Sequence, residues 1–396
     1  MNILYFCIGD LSKSCAERTH VSEIVNNFAK LGHYVHLIAL EKGDLKLHPN
    51  VKFYKLFPFV NKRFLSLITL YAQKAHVENL IRKIVKKENI HLIYERHNEY
   101  DYGVKIGKKF GIKTVMELNG VSSQEAKLQG ASEDQVRAID NKELDRIKCA
   151  DKIVAVSDGI KKYYSSLGVE KNKFVVIPNC VDSVLFKPMD KNNCRKKLGF
   201  CGFPIIGFVG SFRPYQGLEA AIEMMPYVLK EMPQARLVLV GDAGKHNNFQ
   251  FHPTIDELKE SAKRLKVEKN VIFTGRITSD LIPLYINSFD LCLNIHKGLS
   301  FDGYFLGWPV KLFEYLACGR PVICSSIPDV KEIIQNYNCG ICVEPDNPKK
   351  FAEKIIFLIR NKKMCDMYGE NGRKTVLENY TWKCAANKLL SEFENV

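Results

Sequence analysis

The sequence has no apolar run approaching the ~20 residues that a membrane-spanning helix requires. It lacks a basic region ahead of its first apolar run, residues 1–8, which therefore reads as an opening strand and not as a signal peptide. Acids are in deficit, 44 against 58 lysines and arginines, for a formal net charge of +14. That surplus predicts attraction to an anionic partner, whether nucleic acid, acidic lipid headgroups or phosphorylated substrates, and charge by itself does not choose among them. A second C-x-x-C pair is missing. Cys339 and Cys342 stand alone at that spacing, so a four-ligand zinc site lacks half its ligands, and a turn leading into a buried strand is the simpler reading. No internal repeat or low-complexity tract interrupts the chain. Its 13 cysteines, with no signal segment, lead us to expect reduced thiols in a cytoplasmic protein.

What is present fits two domains. The 396 residues are too many for one core, and the 46% hydrophobic share is ordinary for a globular chain. Short apolar runs at 2–8, 34–40, 91–95, 113–118, 152–156 and 174–177 alternate with helical patterns at 20–31, 64–88, 100–110, 134–149 and 158–166. The alternation restarts with strands at 204–210, 236–240, 271–274, 290–295, 320–325 and 341–343, and helices at 217–231, 255–266, 278–287, 309–318, 328–336 and 348–360. Each half predicts a parallel sheet covered by helices, hence an α/β chain of two Rossmann-like doubly wound domains facing a cleft. In such sheets ligands bind beyond the carboxyl ends of the strands. The polar stretch 183–203, with little apolar periodicity, reads as the connection between domains at 1–182 and 204–380. Residues 381–396 read as a C-terminal helix returning to the first domain.

The most informative segment is 309–323. Pro309 suits a first helical position and Gly319 a helix stop. Leu312, Phe313, Leu316 and Ala317 share one side, while Lys311 and Glu314 fall opposite, one turn apart. Such a helix offers open amides and a cation to a phosphate, and a carboxylate to ribose hydroxyls. The same residues also describe an amphipathic helix whose exposed Lys and Glu pair. Residues 205–219 form a strand, a Gly-bearing loop and a helix start, an arrangement that lets backbone amides approach a phosphate. Gly210 ends the strand, Ser211 brings a hydroxyl, Arg213 a guanidinium fork, and Gly217 opens the helix. Two phosphate donors and a ribose acceptor in one domain outline a sugar-nucleotide pocket.

These motifs carry a resemblance. Gly9-Asp10, His20, and Leu31-Gly32-His33 before the strand at 34 are followed by the run 150–157. Then come Ile177-Pro178-Asn179 with Phe186 and Pro188, the loop 208–217, Val240-Gly241, Phe273-Thr274-Gly275, 309–321, Asn338-Cys339-Gly340, Pro345-Asp346 and Tyr380-Thr381-Trp382. In this order and spacing the chain resembles the family-4 retaining glycosyltransferases (glycosyl transferases group 1) of the GT-B fold. The resemblance implies a donor site of Gly9, Gly210, Ser211, Arg213, Gly275, Arg276, Pro309, Val310, Lys311 and Glu314. Arg213, Lys311 and Glu314 would be its catalytic members. It implies metal independence and no cofactor beyond the nucleotide sugar itself, in keeping with the lack of an Asp-x-Asp motif. The chain departs from the family in places. Leu306 stands where many members have the first of two glutamates, with Asp302 nearby in the loop. Ser211 and Gln216 stand where basic residues are common, and Asn119 stands where a His often ends a strand facing the donor.

On the acceptor side we expect His20, Arg96, His97 and Asn119, although a polar loop, a helix cap for His20 and an ion pair between Glu95 and Arg96 are open alternatives. The segment 52–87 carries nine basic residues, among them Lys62, Arg63 and Lys74, against the acid Glu78, interleaved with aromatics such as Phe53, Phe57 and Phe64. It suits an anionic membrane surface or a solvated helix face over a normal core. The expected activity is transfer of a sugar from a nucleotide sugar to an acceptor hydroxyl with retention. The acceptor would be a sugar, polysaccharide or lipid-linked molecule at the cytosolic membrane face. The rivals are a sugar-nucleotide epimerase on the same architecture and a non-enzymatic basic nucleic-acid-binding protein. No nucleic-acid recognition motif supports the second.

Overall fold

A computed structural model describes residues 1–12, 16–56, 67–96, 102–128, 130–243, 245–246, 249–250, 253–297 and 310–394. The chain divides into two compact units. The first comprises Met1–Asn179 together with the C-terminal stretch from Trp382, and among the described residues the second runs from Cys180 to Thr381.

The first unit is built on strands β1 (Asn2–Phe6), β2 (Tyr34–Ala39), β3 (Val51–Lys55), β4 (Leu92–Arg96), β5 (Lys113–Leu118), β6 (Lys152–Ala155) and β7 (Phe174–Val176). They form a parallel sheet in the order β3-β2-β1-β4-β5-β6-β7. Helices α1 (Ala16–Lys30), α2 (Leu67–Lys87), α3 (Tyr102–Phe110), α4 (Ser122–Leu128), α5 (Glu133–Cys149) and α6 (Asp158–Ser166) accompany it. The central strands are apolar and buried because helices cover both faces of a parallel sheet.

The second unit contains helices α7 (Lys191–Leu198), α8 (Leu218–Glu223), α9 (Met225–Glu231), α10 (Ile255–Arg264), α11 (Ile282–Ser288), α12 (Val310–Ala317), α13 (Pro328–Asn336), α14 (Pro348–Arg360) and α15 (Lys362–Asn379). Its strands are β8 (Ile205–Val209), β9 (Arg236–Val240), β10 (Lys245–His246), β11 (Phe249–Gln250), β12 (Val271–Gly275), β13 (Leu291–Asn294), β14 (Val322–Ser325) and β15 (Gly340–Val343). Apart from the small β10-β11 hairpin they form one parallel sheet ordered β12-β9-β8-β13-β14-β15. The strand order reverses between β8 and β13, and that is where a doubly wound sheet opens a crevice. The last helix, α16 (Trp382–Glu394), packs in the first unit. There Trp382 meets the His20 ring edge-on and the Lys388 ammonium donates to the Val176 carbonyl at 3.0 Å.

The structure adds elements that periodicity does not announce. The polar stretch read as a connection contains α7, started by Asp190, whose carboxylate accepts from the Asn193 amide at 2.7 Å. The pattern at 217–231 is two helices, because Pro226 cannot donate into a continuous helix and instead sits in the first turn of α9. The basic segment 52–87 is not one amphipathic element. Its beginning is strand β3 at the sheet edge, residues 57–66 lie outside the described residues, and its end is α2. Val77, Ile81, Ile84 and Val85 of α2 are spent on the core beside Leu4, Phe6 and Ile38. Lys74, Lys83, Lys86 and Lys87 stay exposed.

Helix α15 is hidden from a sequence reading by Gly369 and Gly372, which are unfavourable in a helix interior. Their reason is contact. A Cβ on Gly369 would lie 2.3 Å from the Gly319 carbonyl, and one on Gly372 2.7 Å from Leu316 Cδ2. The two glycines let α15 lie tightly on α12. From α15, Arg373 donates to the Ala317 carbonyl at 2.9 Å, a cation at the negative end of α12.

Candidate functional site

Helix α12 is held by two separate elements. Beyond Arg373 at its C-terminus, Tyr315 reaches the last residue of β8. Its hydroxyl accepts from the Val209 amide at 2.7 Å and lies 3.2 Å from the Val209 carbonyl. The helix start is thereby set beside the turn after β8. This turn is itself zipped to its neighbours at the carboxyl edge of the sheet. Gly210 donates to the Val240 carbonyl, Phe212 to the Asp242 carbonyl and Gly241 to the Gly275 carbonyl. Gly241, at φ +133°, is required there, since a Cβ would fall 2.0 Å from the Gly210 carbonyl oxygen. On the other side the Lys297 amide donates to the Tyr215 carbonyl, and the Lys297 ammonium to Glu219 at 2.8 Å.

Lys311 lies in this frame and is only 8% exposed. Its ammonium donates to Gln216 Oε1, sits 4.1 Å above the Phe208 ring centroid, and lies beside the Gly210 turn. The amphipathic alternative, with an exposed Lys, does not describe it: α12 buries Lys311 together with Leu312, Phe313, Tyr315 and Leu316. Burial pulls the Lys311 ammonium down to about 7, against the pull of Glu314 and Cys324. Burial pushes the Glu314 carboxyl up to about 7, against the pull of Lys311. His296, stacked on Tyr215 and 3% exposed, is pushed down to about 3 by burial and by the Lys311 charge, so it is neutral near pH 7. A phosphate arriving at this point would meet a cation that water does not screen.

The structure therefore brings together Gly210, Lys311 and Glu314 with the turn that holds Arg213. Arg213 heads the tight turn Pro214–Gln216 and is half-buried, Ser211 is exposed just past Gly210, and Val310 is the half-buried first residue of α12. Gly275 joins the cluster through Gly241, and Arg276 is exposed at the end of the edge strand β12. Pro309, Leu306 and Asp302 lie outside the described residues. Gly9 belongs to the first unit, where a Cβ would lie 2.7 Å from the Glu17 carboxyl carbon.

In the first unit, three of the four expected acceptor-side residues converge on one carboxylate. Glu117, at the end of β5 and fully buried, accepts from Tyr94 at 2.7 Å, from Asn119 at 2.6 Å and from Arg96 Nη1. His20 Nε2 stands 3.0 Å from it, and His20 Nδ1 3.2 Å from the Asn179 side-chain oxygen. Burial alone would raise the Glu117 carboxyl. The adjacent His20 and Arg96, and the hydrogen bonds from His20 and Tyr94, override it and hold the group well below the usual carboxylate range. Glu95 and Arg96 do not form the ion pair allowed above. Alternation along β4 sends them to opposite faces, and Glu95 accepts instead from the Val104 amide at 2.8 Å, in the first turn of α3. His97 lies outside the described residues.

Sequence reasoning passed over Glu117 and Tyr315. An acid inside the apolar run of β5 was the available signal for the first, because a buried charge in a strand needs partners. Nothing in the sequence marks the second, whose partner is a backbone 106 residues away.

The fold has solved counterparts. The Anabaena HepE protein, solved with UDP, with UDP and glucose, and with UDP-glucose, superposes on the whole chain with a TM-score of 0.77 in its UDP complex, at 19% identity over 100% of both chains. The chain is a two-domain glycosyltransferase fold of the GT-B type. The family follows from the sequence. The Glycosyltransferase Family 4 profile matches residues 18–184 and the Glycosyl transferases group 1 profile matches residues 190–375. The protein belongs to this family and is a hexosyltransferase-type enzyme. The N-acetyl-alpha-D-glucosaminyl L-malate synthase of Bacillus anthracis is 23% identical over 385 residues, 95% of this chain and 91% of its own. The GDP-mannose-dependent monoacylated alpha-(1-6)-phosphatidylinositol monomannoside mannosyltransferase of Corynebacterium glutamicum is 27% identical over 238 residues, 58% of each chain. Among the described residues no helix is long and apolar enough to cross a membrane.

Proposed function

We propose that the protein moves a hexosyl group from a nucleoside diphosphate sugar to an acceptor hydroxyl with retention at the anomeric carbon. The observation that carries this is the buried Lys311 ammonium at the start of α12, beside the Gly210 turn and one helical turn from Glu314. The diphosphate would lie between the α12 amides, Lys311 and Arg213, with Glu314 accepting from the ribose hydroxyls. Breaking the bond between the anomeric carbon and the phosphate oxygen builds negative charge on the leaving diphosphate. Fixed positive groups in a dry site stabilise that charge more in the transition state than in the ground state. Each charge-assisted hydrogen bond supplies about 1.5–3 kcal/mol. With these groups holding the diphosphate, the proposal needs no metal ion. In front-face attack the acceptor oxygen bonds to the anomeric carbon as the phosphate leaves, and the acceptor proton passes to the departing phosphate oxygen. The step needs no carboxylate beneath the sugar.

Asn119, Arg96 and His20 form the acceptor side in this reading. The likeness to a phosphatidylinositol monomannoside mannosyltransferase, together with the exposed lysines of α2, supports a lipid-linked or polysaccharide acceptor and a peripheral place on the cytosolic leaflet. A thermal-shift and calorimetric screen against UDP, GDP, ADP and their sugars tests the core of it. One of the diphosphates should stabilise the protein, and Lys311→Ala should abolish that stabilisation with the fold kept. Unchanged binding in Lys311→Ala would remove the site.

A further inference from the structure

Gln216 ends the tight turn between Gly210 and α8 and is 7% exposed. Its amide oxygen accepts from the Lys311 ammonium, so a neutral acceptor, and not a carboxylate, meets the buried cation most directly. We propose that Gln216 is a positioning residue for Lys311: it holds the side chain beside the Gly210 turn without neutralising it, and yields it to the diphosphate of an incoming donor. This rests on the donor reading above.

The neighbourhood makes the exchange favourable in one direction. Lys311 is faced by Glu314 from its own helix, by Cys324 from β14, by the neutral His296 after β13, by the Phe208 ring from β8 and by Gln216 from the turn. Glu314 is itself pushed up to about 7 by burial and is therefore an incomplete counter-charge at neutral pH. An amide oxygen carries only a partial charge, whereas a diphosphate carries full negative charge and binds the ammonium in its protonated form. With the ammonium poised near 7, binding a diphosphate above that pH draws a proton from solvent onto Lys311 Nζ. Gln216 sets the size of this uptake, because whatever partner it offers Lys311 decides how much of the ammonium is already protonated before the ligand arrives.

The test is calorimetric titration of the full chain with UDP, GDP and ADP, continued with the tightest binder, from pH 7 to pH 9 in buffers of differing ionisation enthalpy. Wild type should take up a substantial fraction of one proton at pH 8, and its affinity should fall by about tenfold or more between pH 7 and pH 9. Gln216→Glu supplies a carboxylate that keeps Lys311 protonated beforehand. It should lose most of the proton uptake and flatten the pH profile, with weaker binding at pH 7. Gln216→Leu, which takes the acceptor away from the ammonium, should take up more proton than wild type at pH 7 and bind several-fold more weakly, since Lys311 is no longer held. A residue that merely packs would change the melting temperature and leave the uptake as in wild type. The inference is overturned if wild type binds a diphosphate with no proton uptake and a flat profile, or if Gln216→Glu keeps both as in wild type. The donor reading survives either result. It falls, and this inference with it, if none of the diphosphates binds wild type at millimolar concentration.

Discussion

In the first unit a buried carboxylate, Glu117, is met by Tyr94, Arg96 and Asn119, with His20 alongside. In the second a buried ammonium, Lys311, has an amide oxygen, an aromatic face and a half-buried carboxylate one turn away. Both are charges removed from water, and desolvation penalises each. For Glu117 the partners more than offset it, and the carboxyl is held well below its ordinary value. For Lys311 they do not, and the ammonium drops to about 7. A charge whose partners are complete belongs to the fold. A charge whose partners fall short is one that a ligand can complete.

The largest way to break this contrast is Glu117→Gln. Removing the anion leaves the half-buried Arg96 with an amide in place of its closest carboxylate and Glu17 3.6 Å away, and we expect a loss of about 3 kcal/mol in urea unfolding at pH 7. The sign with pH is fixed. The folded carboxyl titrates below its unfolded value near 4.5, so its stabilisation is complete above that value and is lost as the pH falls through the folded one. The wild-type advantage over Glu117→Gln should shrink in acid; an advantage that persists unchanged at pH 2 would refute the account of the cluster.

Lys311→Ala and Glu314→Ala should do the opposite: keep the fold and lose the ligand. A loss of 1.5–3 kcal/mol per charge-assisted contact corresponds to roughly 10- to 150-fold weaker diphosphate binding for Lys311→Ala. Circular dichroism should show an unchanged secondary structure. If Lys311→Ala unfolds the protein as Glu117→Gln weakens it, the distinction between the two charges is wrong.

Lys311→Met sharpens the comparison with a gain. The folded ammonium titrates near 7 against 10.5 unfolded, so its cost to stability is full below about pH 7 and fades as the pH rises toward 10.5. Melting temperatures should rise in the variant by about 2–4 °C at pH 6, for a gain near 1 kcal/mol, and by less at pH 9. A gain that grows with pH would contradict the assigned burial.

The smallest effect concerns charges that are not buried. Lys74 on α2 is exposed, and its neutralisation should reduce sedimentation with anionic vesicles by roughly 1 kcal/mol, about fivefold. The triple change with Lys62 and Arg63 should remove most of it. Wild-type protein that ignores such vesicles would end the membrane reading.

The alternation of apolar runs and helical patterns was enough to place most strands and helices, since parallel strands covered on both faces are apolar throughout and stand out against amphipathic helices. The segment around Lys311 and Glu314 was legible because a proline, a glycine and an apolar stripe delimit one short helix. What escaped depended on distant partners. Helix α15 carries glycines that local propensity counts against it, and only the approach of α12 explains them. Glu117 gathered His20, Arg96 and Asn119 from three separate segments of the chain.

The sequence by itself determined the two α/β halves, the glycine-bearing turn after β8 and the presence of a lysine and a glutamate one turn apart, because these follow from period, backbone freedom and spacing along a single helix. Only the tertiary structure decided that Lys311 is buried, that it meets Gln216 and that Tyr315 ties its helix to β8. Burial and partnership are set by chain segments about a hundred residues apart, and together they move the charge a side chain carries away from what its residue type alone would give.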